Sequence, residues 1–204
     1  MTEPSAPPRL RRLPVLLAAA AVVPAVMMPL VPPEYRLWNF AAFGAVALFV
    51  GARGGRFGLP AAILLVLGAK FCSDLLNYRH YGYDAEYLPS PVVYSGFLGY
   101  ALIGWASRQS SSKPWVIGLA ALAGSGCFFL WTNLFGWIGM ALPYDRNLIG
   151  LLQSYEMALP FFRGTLFSDL AFTVLLFGAE AVLVRAPQPA TSAIEVSVNE
   201  EIRR

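Results

Sequence analysis

Long apolar runs, each close to 20 residues, recur along this chain and constrain its fold more than any other feature. The clearest cover residues 13–31, 59–78, 115–140 and 159–184. A run of about 20 apolar residues crosses the hydrocarbon core of a bilayer as a helix, which satisfies its own backbone hydrogen bonds. Only 13% of the residues are charged, about half the share in a soluble domain. The chain is therefore predicted to be an integral membrane protein.

Two shorter apolar segments, 37–52 and 91–107, bring the number of candidate transmembrane helices to six. The segment 37–52 is short for a span, so it is expected to stand nearly perpendicular to the membrane or to be partly re-entrant. We predict an all-α, polytopic fold in which six transmembrane helices form one bundle over residues 13–185. The basic start followed by an apolar run also resembles a signal peptide, but the run continues to residue 31, which favours a retained helix.

The basic residues predict an orientation, because they concentrate in alternate connections. One set of connections carries Arg9, Arg11, Arg12, Arg53, Arg56, Arg108, Lys113 and Arg185, and the other set carries Arg36, Arg79 and Arg146. By the positive-inside rule both termini are predicted to be cytoplasmic, in the inner membrane of the cell. Residues 1–12 and 186–204 are predicted to be solvated cytoplasmic tails, the latter disordered.

Polar side chains inside the apolar runs mark a candidate site. Lys70, Asp74 and Asn77 have the spacing i, i+4, i+7, which places them on one face of a helix. A charge at the centre of a membrane helix costs roughly 2.5–3.5 kcal/mol on insertion scales, so such residues are usually functional. With the predicted orientation, this face extends from the membrane midplane toward the outer side.

Further polar and aromatic residues are predicted to lie in the same outer half. They are Asn39, Asn133, Trp137, Arg163, Thr165 and Asp169. We interpret the whole group as the wall of an outward-facing pocket for a small polar solute, with Trp137 covering a flat ligand face. A structural alternative remains open, in which Lys70 pairs with Asp74 or with Asp169 and the polar residues only specify helix packing. A proton or ion relay is a further alternative.

Other classes of function lack their residues in this sequence. Two cysteines, Cys72 and Cys127, and a single histidine, His80, supply no disulfide framework and no metal-binding pattern. A net charge of +3 gives no reason to expect nucleic acid binding. No Gly-x-Ser-x-Gly, His-Glu-x-x-His or Walker A motif occurs, so we expect neither an enzyme, nor a cofactor, nor ATP hydrolysis by this chain.

The predicted outer connections carry two further patterns. The first, residues 78–87, contains four tyrosines, which suit either a lid over the pocket or an aromatic belt at the headgroups. In the second, Leu148, Leu151, Leu152 and Tyr155 predict a short amphipathic helix on the outer surface, before the last span. Small residues spaced by four, such as Ala47 and Gly51, indicate close helix packing.

The chain from about residue 38 to 184 resembles an uncharacterised bacterial family of small membrane proteins. The matching pieces are Asn39-Phe40, Ser73-Asp74, Thr132-Asn133, and Pro160-Phe161-Phe162-Arg163-Gly164-Thr165 followed by Asp169. That family is similar to the substrate-binding S components of energy-coupling-factor (ECF) vitamin transporters. The resemblance implies six helices, a ligand pocket toward the outer face, and a transmembrane coupling subunit with ATPases as partner.

These observations favour an S-component-like, substrate-capture protein for uptake of a small polar or vitamin-like solute. The expected partners are that solute, the lipid bilayer and a coupling subunit with ATPases. The alternative function is a non-transport structural or assembly protein, whose buried polar residues only specify helix packing.

Overall fold

Every regular element that the computed structural model describes, in residues 8–35, 41–81, 91–139 and 144–185, is helical. The six α-helices of these ranges are α1 (Pro8–Met27), α2 (Phe43–Arg53), α3 (Gly58–Tyr81), α4 (Pro91–Ser107), α5 (Pro114–Gly139) and α6 (Leu148–Arg185). The predicted all-α fold is confirmed. Four of the helices, α1, α3, α5 and α6, are long and apolar enough to cross a membrane, counting the short 3₁₀ turn after α1.

Helix α2 is the buried centre of the bundle. Its residues from Phe43 to Ala52 are all buried, and α1, α3, α4 and α6 surround it. With 11 residues it is about 16 Å long, roughly half the thickness of a bilayer core. The predicted second segment began near residue 37, but residues 36–40 lie outside the described part of the chain. As described, α2 is a short helix with protein on every side.

Glycines allow the backbones of α2 and α4 to touch. A Cβ atom added to Gly51 would lie 2.5 Å from the carbonyl oxygen of Ala101, and one added to Gly104 would collide with the Leu48 backbone. The two helices therefore approach each other more closely than side chains would permit. The pair Ala47 and Gly51, predicted as a packing motif, thus packs within the chain.

Helix α6 is one continuous helix of 38 residues, about 57 Å long at 1.5 Å per residue. The predicted division into a separate surface helix and a span that begins near residue 159 is therefore wrong. Pro160 lies inside the helix, where its missing N–H frees only one backbone carbonyl. The first turns also pack on α5, since the Tyr155 hydroxyl donates to the Leu130 carbonyl at 2.8 Å. The helix is thus also held to α5 on the N-terminal side of the proline.

Polar contacts hold both ends of α2 to α6. At the start of α2, the Ser168 hydroxyl donates to the Ala41 carbonyl at 3.0 Å. At its end, Arg53 Nε lies 2.5 Å from a Glu180 carboxylate oxygen, and the guanidinium also donates to the side chain and carbonyl of Ser111. The two helices therefore run in the same direction. Arg53 is therefore the ion-pair partner of Glu180.

The contact between α2 and α4 predicts a large cost for the substitution Gly104→Ala. The added methyl group would overlap the Leu48 backbone, so we expect the free energy of unfolding to fall by about 1–3 kcal/mol, the usual cost of overpacking. Gly99→Ala, on the same helix with open space around it, is the matched control and should be neutral or slightly stabilising. Unfolding in detergent micelles, followed by circular dichroism, measures both. Equal effects of the two substitutions would contradict the close approach.

Candidate ligand-binding cavity

A cavity of about 500 Å³ lies where α2 begins. Helices α2 to α6 supply its wall, together with Ala41, which lies two residues before α2. The lining residues are Ala41, Phe43, Gly44, Lys70, Val93, Phe97, Tyr100, Phe128, Phe129, Thr132, Asn133, Ala158, Phe161, Phe162, Thr165 and Asp169. The volume is within the range of small-molecule sites, which are mostly apolar with a few polar groups that orient the ligand.

Seven of the sixteen lining residues are aromatic. One group of rings centres on α4. Phe97 and Tyr100 belong to α4, Phe43 to α2 and Phe128 to α5, and neighbouring centroids lie 5.1–6.2 Å apart. We call these four residues the α4 rings. Phe129, the next residue along α5, instead packs on a ring from α6. Successive residues of a helix point about 100° apart, so Phe128 and Phe129 contribute to different walls.

The second aromatic wall joins α5 to α6. The Phe129 and Phe162 centroids are 4.6 Å apart with an interplanar angle of 34°. Phe161, the residue before Phe162, also lines the cavity. We call these three residues, Phe129 of α5 and Phe161 and Phe162 of α6, the α6 rings. Aromatic faces and edges therefore bound the cavity from more than one helix.

Asp169 is a deeply buried carboxylate of the wall, with 2% of its surface exposed. The Tyr100 hydroxyl donates to its carboxylate, and the Ser125 hydroxyl donates to the same oxygen at 2.7 Å. Gly44 makes room for the other oxygen, since a Cβ atom there would lie 2.5 Å from Asp169 Oδ1. The carboxylate thus connects α6 to α2, α4 and α5.

Asp169 also lies at the start of α2. The N-cap residue of this helix, Ala42, has no side chain that accepts a hydrogen bond, and the Asp169 carboxylate lies at the first turn, with Oδ1 beside Gly44. The first N–H groups of a helix have no partner within the helix, and the N-terminus carries a partial positive charge. A carboxylate from α6 therefore stabilises a helix end that begins inside the protein.

Lys70 forms the second polar group of the site, together with Asp74 and Tyr94, which do not line the cavity. Its ammonium bonds the Asp74 carboxylate one turn along α3, and the Tyr94 hydroxyl of α4 donates to the other oxygen of Asp74 at 2.9 Å. Of the two partners left open by the sequence, Asp74 and Asp169, the structure has Lys70 paired with Asp74. Lys70 lines the cavity and Asp74 does not.

The remaining polar lining residues bond the backbone of their own helices. Thr132 and Asn133 donate at 2.8 Å to the carbonyls of Phe128 and Phe129, and Thr165 donates to Phe161 at 3.3 Å. Each residue keeps further capacity, because a hydroxyl oxygen accepts as well as donates and an amide has a second N–H and a carbonyl oxygen. These groups are placed to bond a ligand without changing their backbone contacts.

The structure brings four of the nine predicted site residues to the cavity wall: Lys70, Asn133, Thr165 and Asp169. Asp74 is the ion-pair partner of Lys70 and does not itself line the cavity. Asn77, Trp137 and Arg163 are described but are not among the lining residues; Trp137 donates instead to the Asp145 carbonyl at 3.1 Å, and Arg163 is exposed. Asn39 and residues 82–87 of the tyrosine-rich segment 78–87 lie outside the described part of the chain.

No metal site is formed by the described residues, in which no group of three or more histidine, cysteine, aspartate or glutamate side chains is placed to hold an ion. The two carboxylates of the region also bond different partners, Asp74 with Lys70 and Tyr94, and Asp169 with Tyr100 and Ser125. The arrangement supplies hydrogen-bonding groups and aromatic surface to a bound molecule.

A family-level match covers this site. The model of a family of unknown function, DUF6580, matches residues 9–191. The chain belongs to this family. No match was found among curated proteins or among solved structures. Because the matched range contains every lining residue, the cavity lies within the DUF6580 region.

Sequence reasoning missed the residues that α4 contributes to the DUF6580 cavity. Tyr100 is 1% exposed and lies against Gly124, where a Cβ atom would be 2.5 Å from its ring. A signal was present, since Gly96, Tyr100 and Gly104 are spaced by four and place one aromatic between two glycines on a single helix face. The sequence of α4 alone, however, does not predict which helix packs against that face.

Removal of the Tyr100 hydroxyl tests the Asp169 contacts. We expect Tyr100→Phe to lower the free energy of unfolding by roughly 1.5–3 kcal/mol, the usual range for a hydrogen bond to a charged group. Tyr155→Phe is the control, since its hydroxyl donates to a neutral carbonyl at an exposed position, and we expect a loss of about 1 kcal/mol or less. Denaturant unfolding in mixed micelles compares the two. A Tyr100→Phe protein as stable as the control would contradict the proposed importance of the buried contact.

Proposed function

We propose that the protein is an integral membrane, substrate-capture protein, similar to the S components of ECF transporters, for uptake of a small polar or vitamin-like solute through an outward-facing pocket. The observation that carries this proposal is the 500 Å³ cavity, whose wall combines aromatic rings with Lys70, Asn133, Thr165 and Asp169. Such a combination is typical of sites that bury a small organic molecule.

The course of the helices supports an outward-facing cavity. Its wall uses the beginnings of α2 and α4, the second half of α5 and the first half of α6. The opposite ends of these helices are followed or preceded by Arg53, Arg108, Lys113 and Arg185. If these basic connections are cytoplasmic, as the positive-inside rule proposes, the cavity faces the other side of the membrane.

The proposal includes a partner that supplies energy. The sequence contains no Walker A motif, so uptake would depend on ATPases that act through a transmembrane coupling subunit. This chain would then bind the solute and release it during movement within that complex.

A bound solute is the first test. We expect the full chain, purified in mild detergent, to carry a small molecule that native mass spectrometry detects. Lys70→Ala and Asn133→Ala each remove a polar group from the wall and should reduce the retained fraction about tenfold, equivalent to one hydrogen bond of about 1.4 kcal/mol. Arg163→Ala, at an exposed position outside the lining, is the control. Equal retention in all three variants would contradict the assigned site.

Cysteine labelling tests the orientation. In a background with Cys72 and Cys127 replaced by alanine, we expect a membrane-impermeant maleimide to label Asp145→Cys in intact cells and Ser110→Cys only after lysis. Both positions are exposed, and they lie in the connections at opposite ends of α5. The reverse pattern would place the cavity on the cytoplasmic side.

A non-transport structural or assembly protein is the second candidate. It is favoured by one observation, namely that the buried charged groups already bond protein: Lys70 with Asp74, and Asp169 with Tyr100 and Ser125. In this case the wall substitutions should lower thermal stability while no solute is retained or taken up by the native protein.

A further inference from the structure

The aromatic walls of the cavity favour a flat ligand. Phe128 belongs to the α4 rings and Phe129 to the α6 rings, whose Phe129 and Phe162 lie 4.6 Å apart. The two groups therefore border the same space from different helices. A planar aromatic molecule forms stacked or edge-to-face contacts with such walls, whereas a saturated ring of the same size offers only dispersion.

Lys70 gives the cavity a cationic contact. Its side chain lines the space, and Asp74 accepts one of the three N–H bonds that an ammonium donates. Asp74 lies outside the lining and is held from its other side by Tyr94. A ligand in the cavity consequently meets Lys70 of this pair and not the carboxylate of Asp74.

Asp169 does not make the cavity favourable for a cation. One oxygen accepts from Tyr100 and Ser125, and the other lies beside Gly44 in the first turn of α2. The partial positive charge of that helix end offsets part of its negative charge. A cationic ligand would approach Lys70 as well as this carboxylate, whereas an anion approaches Lys70 directly.

We infer that the cavity binds a planar aromatic monoanion, with its ring between the α4 and α6 rings and its carboxylate on Lys70. This inference rests on the proposed capture function and names the class of solute. Thr132, Asn133 and Thr165 then bond polar substituents of the ring, since each retains hydrogen-bonding capacity.

Three probes separate charge from planarity. They are 2-naphthoate, its neutral analogue 2-naphthamide, and decalin-2-carboxylate, which keeps the charge but is not flat. We expect 2-naphthoate to bind the full chain in detergent, and each analogue to bind about tenfold or more weakly, as expected for loss of one charged or one aromatic contact. Equilibrium dialysis gives all three dissociation constants.

Variants assign each preference to its residue. Lys70→Met together with Asp74→Asn removes both charges of the pair, so that no carboxylate is left without a partner, and should make 2-naphthoate and 2-naphthamide bind equally. Lys70→Arg keeps the cation and should keep the preference. Phe162→Leu should reduce the preference for 2-naphthoate over the decalin acid, and Arg163→Gln should change neither ratio.

The outcomes distinguish this inference from the capture function. Failure of 2-naphthoate to bind, or equal binding of the three probes to the unmodified protein, overturns the inference. If native mass spectrometry then shows a co-purified solute of another class in the unmodified protein, the capture function stands. If no solute is retained and no uptake is measured, the capture function fails as well.

Discussion

The structure depends on the polar contacts that hold the two ends of a buried helix to its neighbours. Helix α2 has 11 residues, of which Phe43 to Ala52 are buried, so most of its backbone is removed from water. At the start, the Ser168 hydroxyl bonds the Ala41 carbonyl, and the Asp169 carboxylate lies beside Gly44 in the first turn. At the end, Arg53 lies in the last turn, where a cation is favourable, and bonds Glu180 and Ser111. These two sets of contacts fix the position of the central helix.

The short central helix also explains the cavity. An element of about 16 Å cannot fill the centre of a bundle in which α1, α3, α5 and α6 have 20 residues or more, that is, about 30 Å or more. The space next to its start is bounded by side chains from α3 to α6, and large aromatic rings fill only part of it. Asp169 therefore serves two purposes, since the carboxylate at the start of α2 is also part of the cavity wall.

The sequence predicted the helices better than their contacts. Apolar runs identified each helix, and the cost of charge in a membrane singled out Lys70 and Asp169, which both line the cavity. Two features escaped prediction. Helix α6 continues through Pro160, and the partners of Asp169 come from residues 44 and 69 positions away in the chain. Such long-range contacts depend on how the helices pack against one another. The periodicity of apolar residues within one helix carries no information about its partners.

The unbroken length of α6 has a mechanical consequence. Phe162, Asp169 and Glu180 all belong to α6. One helix therefore connects the cavity wall, the carboxylate at the start of α2 and the ion pair at the end of α2. Asp169 and Glu180 are 11 residues apart, or about 16 Å at 1.5 Å per residue, which is the length of α2 itself. A tilt of α6 as a rigid rod at the cavity would displace Glu180 against Arg53, so that both ends of the bundle respond together.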